Sequence, residues 1–142
     1  MPVIDDIAVK LVADVASFGK LSGTTGNVAR GISLDAEGAS IPDTLVSLYD
    51  TAGIGSEFTF STGGTSVAFE QPGLQILSRS TSYITARDNA VLAHQVLDGF
   101  SGTLSGVRYL SIEAAQTPFL IGRDDNDRVL FSVNFNIMKD TT

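Results

Sequence analysis

The stretch Val129-Leu-Phe-Ser-Val-Asn-Phe-Asn-Ile-Met-Lys139 decides the fold. Val129, Phe131, Val133, Phe135 and Ile137 alternate with Leu130, Ser132, Asn134, Asn136 and Met138. Period-two alternation puts the first set on one face of a strand and the more polar set on the other. Ahead of it stands another apolar segment, from Val107 to Ile121, and then the polar turn Gly122-Arg-Asp-Asp-Asn-Asp-Arg128. The unit reads as an antiparallel hairpin with one buried face. It holds no catalytic constellation, which points to an assembly protein rather than an enzyme.

At the other end of the chain Ile4, Ile7, Ala8, Leu11, Val12, Val15 and Phe18 recur at three- and four-residue steps. This spacing predicts an amphipathic helix, with Asp5 and Asp6 near its positive N-terminus and Gly19 in position to end it. From Lys20 to Ile41 the pattern dissolves into Gly, Ser, Thr and Asn, apart from a short Val28-to-Leu34 stretch able to pair as a strand. Pro42-Asp43 reads as a turn, Thr44 to Asp50 as a strand running into Thr51-Ala-Gly53, and Pro72-Gly73 as a further break before the short strand Leu74 to Arg79. Between those breaks, Glu57-Phe-Thr-Phe-Ser61 and Thr65-Ser-Val-Ala-Phe69 flank Thr62-Gly-Gly64. They predict a hairpin over residues 57–69 that projects from the body. Tyr83, Ala86, Ala90, Ala93, Leu97 and Phe100 return to helical spacing, with Thr81 or Ser82 as N-cap and Gly99 as stop. The expected fold class is α+β, a mostly antiparallel sheet covered by two helices on one face. A chain of this length is expected to make a single domain over residues 1–142.

The chain is 43% hydrophobic and 18% charged, a composition of ordered globular domains. Nine basic residues against sixteen acidic ones leave a net charge of −7. A groove that grips nucleic-acid phosphates needs clustered Lys and Arg, so that class is disfavoured. A channel that lets DNA pass without holding it would favour this sign. The absence of cysteine excludes disulfides and thiolate chemistry. Met-Pro-Val-Ile-Asp-Asp at the start has neither the basic nor the apolar region of a signal peptide. No apolar run approaches the roughly 20 residues that span a bilayer, so no membrane partner is expected and the expected site of synthesis is the cytoplasm.

Catalytic and ligand patterns fail one by one. His94 is the single histidine, placed mid-helix with no serine and acid at triad spacing. Gly99-Phe-Ser-Gly102 lacks a residue of the nucleophile elbow and follows a helix rather than a strand, so it reads as a turn. Asp124-Asp-Asn-Asp127 has the carboxylates that calcium favours. An EF-hand loop started at Asp124 would need Gly and Glu where Val129 and Phe135 stand, so the expectation is a solvated turn. Gly53-Ile-Gly55 lacks the third glycine of a dinucleotide fingerprint. No cofactor and no metal are expected. The residues left as partner contacts are Phe58, Phe60, Val67 and Phe69 on the hairpin, with Arg123 and Arg128 beside the acidic turn. Arginine at that turn is read chiefly as solvated charge, and alternatively as a donor to a neighbouring subunit.

Leu48-Tyr-Asp-Thr-Ala-Gly53, Pro72-Gly-Leu-Gln-Ile76, Arg108-Tyr-Leu110, Gln116-Thr-Pro-Phe-Leu-Ile-Gly-Arg-Asp124 and Phe131-Ser-Val-Asn-Phe135 follow one another in an order that resembles a bacteriophage family. That family is described as minor capsid protein and is related to the tail terminators of long-tailed phages. The likeness runs from about Thr44 to Lys139. It implies a homohexameric ring at the head-proximal end of the tail, in the virion once assembled. Such a ring ends growth of the tail tube, meets the head connector and lets DNA through without specific binding. The implied partners are other copies of the chain, the tail-tube protein and a head-completion protein. The alternatives are a head-completion or stopper protein one layer nearer the capsid, and a small enzyme or ligand-binding domain.

Overall fold

A computed structural model describes residues 3–14, 28–30, 44–58, 67–125 and 127–140. In chain order its elements are α1 (Val3–Asp14), β1 (Val28–Arg30), β2 (Leu45–Phe58), β3 (Val67–Ser80), α2 (Tyr83–Leu97), β4 (Phe100–Leu104), β5 (Val107–Ala114), β6 (Phe119–Arg123) and β7 (Val129–Asp140). They form one seven-stranded sheet in the order β1-β2-β3-β7-β5-β4, with β6 also on β7. Every pairing is antiparallel except β1 on β2, which is parallel. The α+β class with a mostly antiparallel sheet and two helices is therefore the observed one.

The strand β7 sits at the centre of the sheet, with one face apolar from Val129 to Ile137. Val129, Phe131, Val133, Phe135 and Ile137 are all buried, as the alternation predicts. In register beside them on β3 lie Ser80, Ser78, Ile76 and Leu74, and Val46 and Leu48 of β2 continue the same face. Both helices cover this face. Val3, Ile7, Ala8 and Leu11 of α1 and Ala93 and Leu97 of α2 belong to one cluster with Leu74, Ile76, Val133 and Phe135. Ala86 and Ala90 of α2 pack with Val129 and Phe131. The helix–sheet gap along α2 is narrow enough that alanine fills it, and the Ser78 hydroxyl donates to the Ala86 carbonyl at 2.9 Å. Leu11 covers the sheet as expected. The Val12 side chain, and Val15, Phe18 and Gly19, lie outside the described residues.

Local chemistry starts and stops α2 where its sequence indicates. Ser82 is the N-cap and accepts from the Thr85 N–H. At the other end the Asp98 N–H reaches the His94 carbonyl, and Gly99 takes φ +81°, a region that favours glycine. Phe100, expected as the last residue of the helical stripe, instead opens β4. Gly99 N–H donates to the Ile112 carbonyl and turns the chain straight into the sheet. The Gly99-to-Gly102 stretch is thus a turn only at its first residue. Ser105 and Gly106, both at positive φ, close the tight turn between β4 and β5.

Two expected breaks are not breaks. Thr51-Ala-Gly53 lies inside β2 and Pro72-Gly73 inside β3, each strand running 14 residues. The ladder survives because register shifts at Thr51/Ile54 accommodate the irregularity. Glycine lets the backbones cross closely there. A Cβ on Gly53 would fall onto the Gln71 carbonyl, and one on Gly73 onto the Thr51 hydroxyl and 2.8 Å from the Ala52 carbonyl. At the C-terminal unit the strand partner of β7 is divided. β5 pairs Tyr109–Ala114 against Phe135–Lys139, and β6 pairs Phe119–Arg123 against Val129–Ser132. Thr117-Pro118 separates them, since proline has no N–H to give to the ladder. The turn expectations for residues 42–43 and 62–64 lie outside the described residues.

Candidate assembly surface

The long β2–β3 hairpin carries the first group of expected contact residues. Phe58 stands opposite Val67, and Glu57 opposite Phe69. The pairing of β3 with β7 ends at Phe69 opposite Asp140, so the hairpin continues past the last residue of the central strand. An ion pair joins its base to the central strand, Lys139 with Glu70 at 3.3 Å, and beside it Arg108 of β5 pairs with Asp140 of β7 at 3.7 Å. Phe69 is half-buried at that base. Phe60 lies outside the described residues. Among the side chains described between Tyr49 and Pro72 none is buried.

Arg123 and Arg128 are brought together by the turn between β6 and β7, where each is engaged by an aspartate. Arg128 Nε donates to Asp124 Oδ2 at 2.7 Å while its backbone N–H donates to Asp124 Oδ1 at 2.9 Å. Arg123 donates to Asp127 Oδ1 at 3.1 Å. Asp127 adopts φ +59° and its N–H returns to the Asp124 carbonyl. The acidic run is therefore the frame of a tight turn. The Asp124 carboxylate spends both oxygens on Arg128 and the Arg128 backbone, which is the opposite of an open cation cradle.

Exposed apolar side chains cluster where the sequence reading did not look: Phe119, Leu120 and Ile121 on β6, and Tyr83 and Ile84 at the start of α2. The Tyr83 ring meets Phe131 edge-on at 5.3 Å between centroids. Leu120 is the cross-strand partner of Phe131. Tyr83 and Leu120 thus flank the buried Phe131, one from the helix and one from the neighbouring strand. The signal was present: three consecutive apolar residues in a strand of five cannot all face one core.

A buried polar pair was also missed. Asp6 on α1 is buried, and its Oδ2 accepts from the Tyr109 hydroxyl at 2.7 Å. Oδ1 is also buried and has no hydrogen-bond partner among the described residues. Burial, and then the hydrogen bond to Asp6, pushes the Tyr109 phenol above its ordinary range. No substrate could reach this pair, so it fastens α1 to the sheet rather than making a reactive site. His94 lies 3.8 Å from Asp98 on the same helix and tilts against Phe135 at 6.5 Å, a packing role. Among the described residues no three His, Cys, Asp or Glu side chains converge as metal ligands, and no helix is long and apolar enough to cross a membrane.

Comparison with known proteins agrees with the fold. The family described as bacteriophage tail terminator protein matches residues 19–141. A solved chain from the virion of a native gene transfer agent particle is similar in fold, with a TM-score of 0.65 at 14% identity. The alignment covers 98% of this chain and 95% of that one. No curated protein matches.

Proposed function

Because the chain belongs to the bacteriophage tail terminator family, and is a structural protein of the phage virion, we propose that it closes into a ring on the last layer of the tail tube and stops the tube from growing. The family match over residues 19–141 carries this reading. The described surface supports it: apolar side chains lie along a sheet edge, and strand edges left open in a monomer are natural docking surfaces in a ring. Six copies is the number implied by the resemblance. In this reading the hairpin over residues 57–69, with Phe58, Phe60, Val67 and Phe69, meets the tube or an adjacent subunit. The head-completion protein stands on the opposite side of the ring. The net charge of −7 suits a pore that DNA traverses without being held. Assembly takes place in the host cytoplasm, and the mature location is the neck of the virion.

Native mass measurement over a concentration series, with and without the tail-tube protein, tests the ring. The expected product is a closed ring, formed alone or only when tube is present. A strictly monomeric chain under all these conditions overturns it. In phage lacking the protein, overlong or headless tails are expected. Tails of normal length that merely fail to join heads would instead assign the protein to the head-side layer.

A further inference from the structure

We propose that Asp98-Gly99, the turn between α2 and β4, is a latent isoaspartate site that the fold holds closed through two hydrogen bonds to β5. The site is independent of the ring reading. No other Asp or Asn of the chain is followed by a glycine. Glycine has no Cβ to shield its nitrogen, so this is where the main chain can most readily turn on a neighbouring side-chain carboxyl. The Gly99 nitrogen attacks Cγ of the protonated Asp98 carboxyl. A C–N bond forms, a Cγ–O bond breaks, and the amide hydrogen leaves with the carboxyl OH as water. A second water opens the succinimide ring at either carbonyl. One opening returns aspartate, and the other carries the main chain through Cγ as isoaspartate, with no change of mass and no co-reactant beyond water.

In the folded chain both reacting groups are held. Asp98 Oδ1 accepts from the Ala114 N–H at 2.9 Å, and the Gly99 N–H donates to the Ile112 carbonyl at 2.8 Å. Ring closure needs the Gly99 nitrogen to eclipse Asp98 Cβ, and the Asp98 ψ of 123° keeps it on the far side. Burial does not protect the site, since the Asp98 side chain is 43% exposed and Gly99 is exposed as well. The protection is conformational and lasts while the end of α2 stays against β5. Local opening of that turn, an event that can be cheaper than global unfolding, frees both groups at once. The product does not fit back. Only Asp98 and Gly99 separate Leu97 of α2 from Phe100 of β4, and isoaspartate lengthens the main chain there by an extra carbon. It also turns the carboxyl that holds the Ala114 N–H into a main-chain amide.

The test incubates the full chain, folded and in guanidinium, at the same mildly acidic pH and maps its peptides for isoaspartate. Hydrogen exchange of the folded chain gives the protection of the Gly99 amide. In guanidinium, isoaspartate should appear at Asp98 ahead of every other aspartate. In the folded chain it should form more slowly by the factor that protects the Gly99 amide, on the order of tenfold or more, because both events need the same opening. Ala114→Pro removes the N–H that holds Asp98, and the folded variant should isomerise faster than the folded parent. If that variant does not fold, the two rates of the parent still decide. Equal rates in the folded and unfolded parent overturn the proposal. So does isomerisation that starts at another aspartate, or a folded Ala114→Pro that isomerises at the parent's rate.

Discussion

Tyr109 and Asp6 hold a buried hydrogen bond at 2.7 Å between elements 103 residues apart in sequence. In Tyr109→Phe the carboxylate loses its donor inside the fold, at a cost of about 1.5–3 kcal/mol for a bond to a charged group. The pH dependence has a definite sign. Folding raises the phenol pKa, so the folded state keeps its proton where the unfolded chain releases it. That contribution is complete below the unfolded value, about 10, and drains away as pH climbs above it. Denaturant melts from pH 8 to 11 should show the parent losing stability above pH 10 while Tyr109→Phe declines less, so the gap narrows. Phe135 makes the apolar counterpart. It is buried between Leu74 and Ala114 in the register of the sheet, and Phe135→Ala should cost about 3–5 kcal/mol. That is a large part of the roughly 5–15 kcal/mol a domain has, so calorimetry should find this variant unfolded or melting far below the parent.

Among the elements, β2 and β3 depend on a local exception to good strand chemistry. A strand interior normally rejects Gly and Pro, yet Gly53, Pro72 and Gly73 lie within paired strands. The two glycines occupy a place where the backbones approach too closely for a side chain. Gly53→Ala should therefore force the strands apart, costing about 1–3 kcal/mol as other overpacked sites do. Because its obstacle is the Gln71 carbonyl rather than a movable side-chain end, relaxation has to move the hairpin. A lowered melting temperature, with faster hydrogen exchange over residues 54–58 and 67–71, is the expected outcome. An unchanged melt would mean that the two strands can separate there at no cost.

For the molecule as a whole, core and hairpin should be separable. The buried cluster draws on α1, α2 and the sheet from Val46 to Leu48 and from Leu74 onward. No described side chain between Tyr49 and Pro72 is part of it. Replacing residues 57–69 by a short Gly-Ser link should leave a cooperative melt and a soluble protein, while phage carrying it make overlong or headless tails. An unfolded product, or normal tails at normal yield, would contradict this division of labour.

Period-two burial along β7, the helical stripe that becomes α2 and the N-cap at Ser82 were legible in the chain, because each depends on a repeat or a hydrogen bond spanning a few residues. The splitting of the β7 partner into β5 and β6, the passage of β3 through Pro72-Gly73 and the move of Phe100 from helix to strand were not. Each depends on which backbone lies alongside, and pairing energy from a distant strand outweighs a local preference to turn. The same holds for the surface. Phe119-Leu-Ile121 is an apolar run like any core strand, and the three side chains are exposed because no other described element packs over them. Asp6 shows the converse: a carboxylate placed near a helix start for its charge is instead drawn into the core, because Tyr109 comes from the far end of the chain to donate to it.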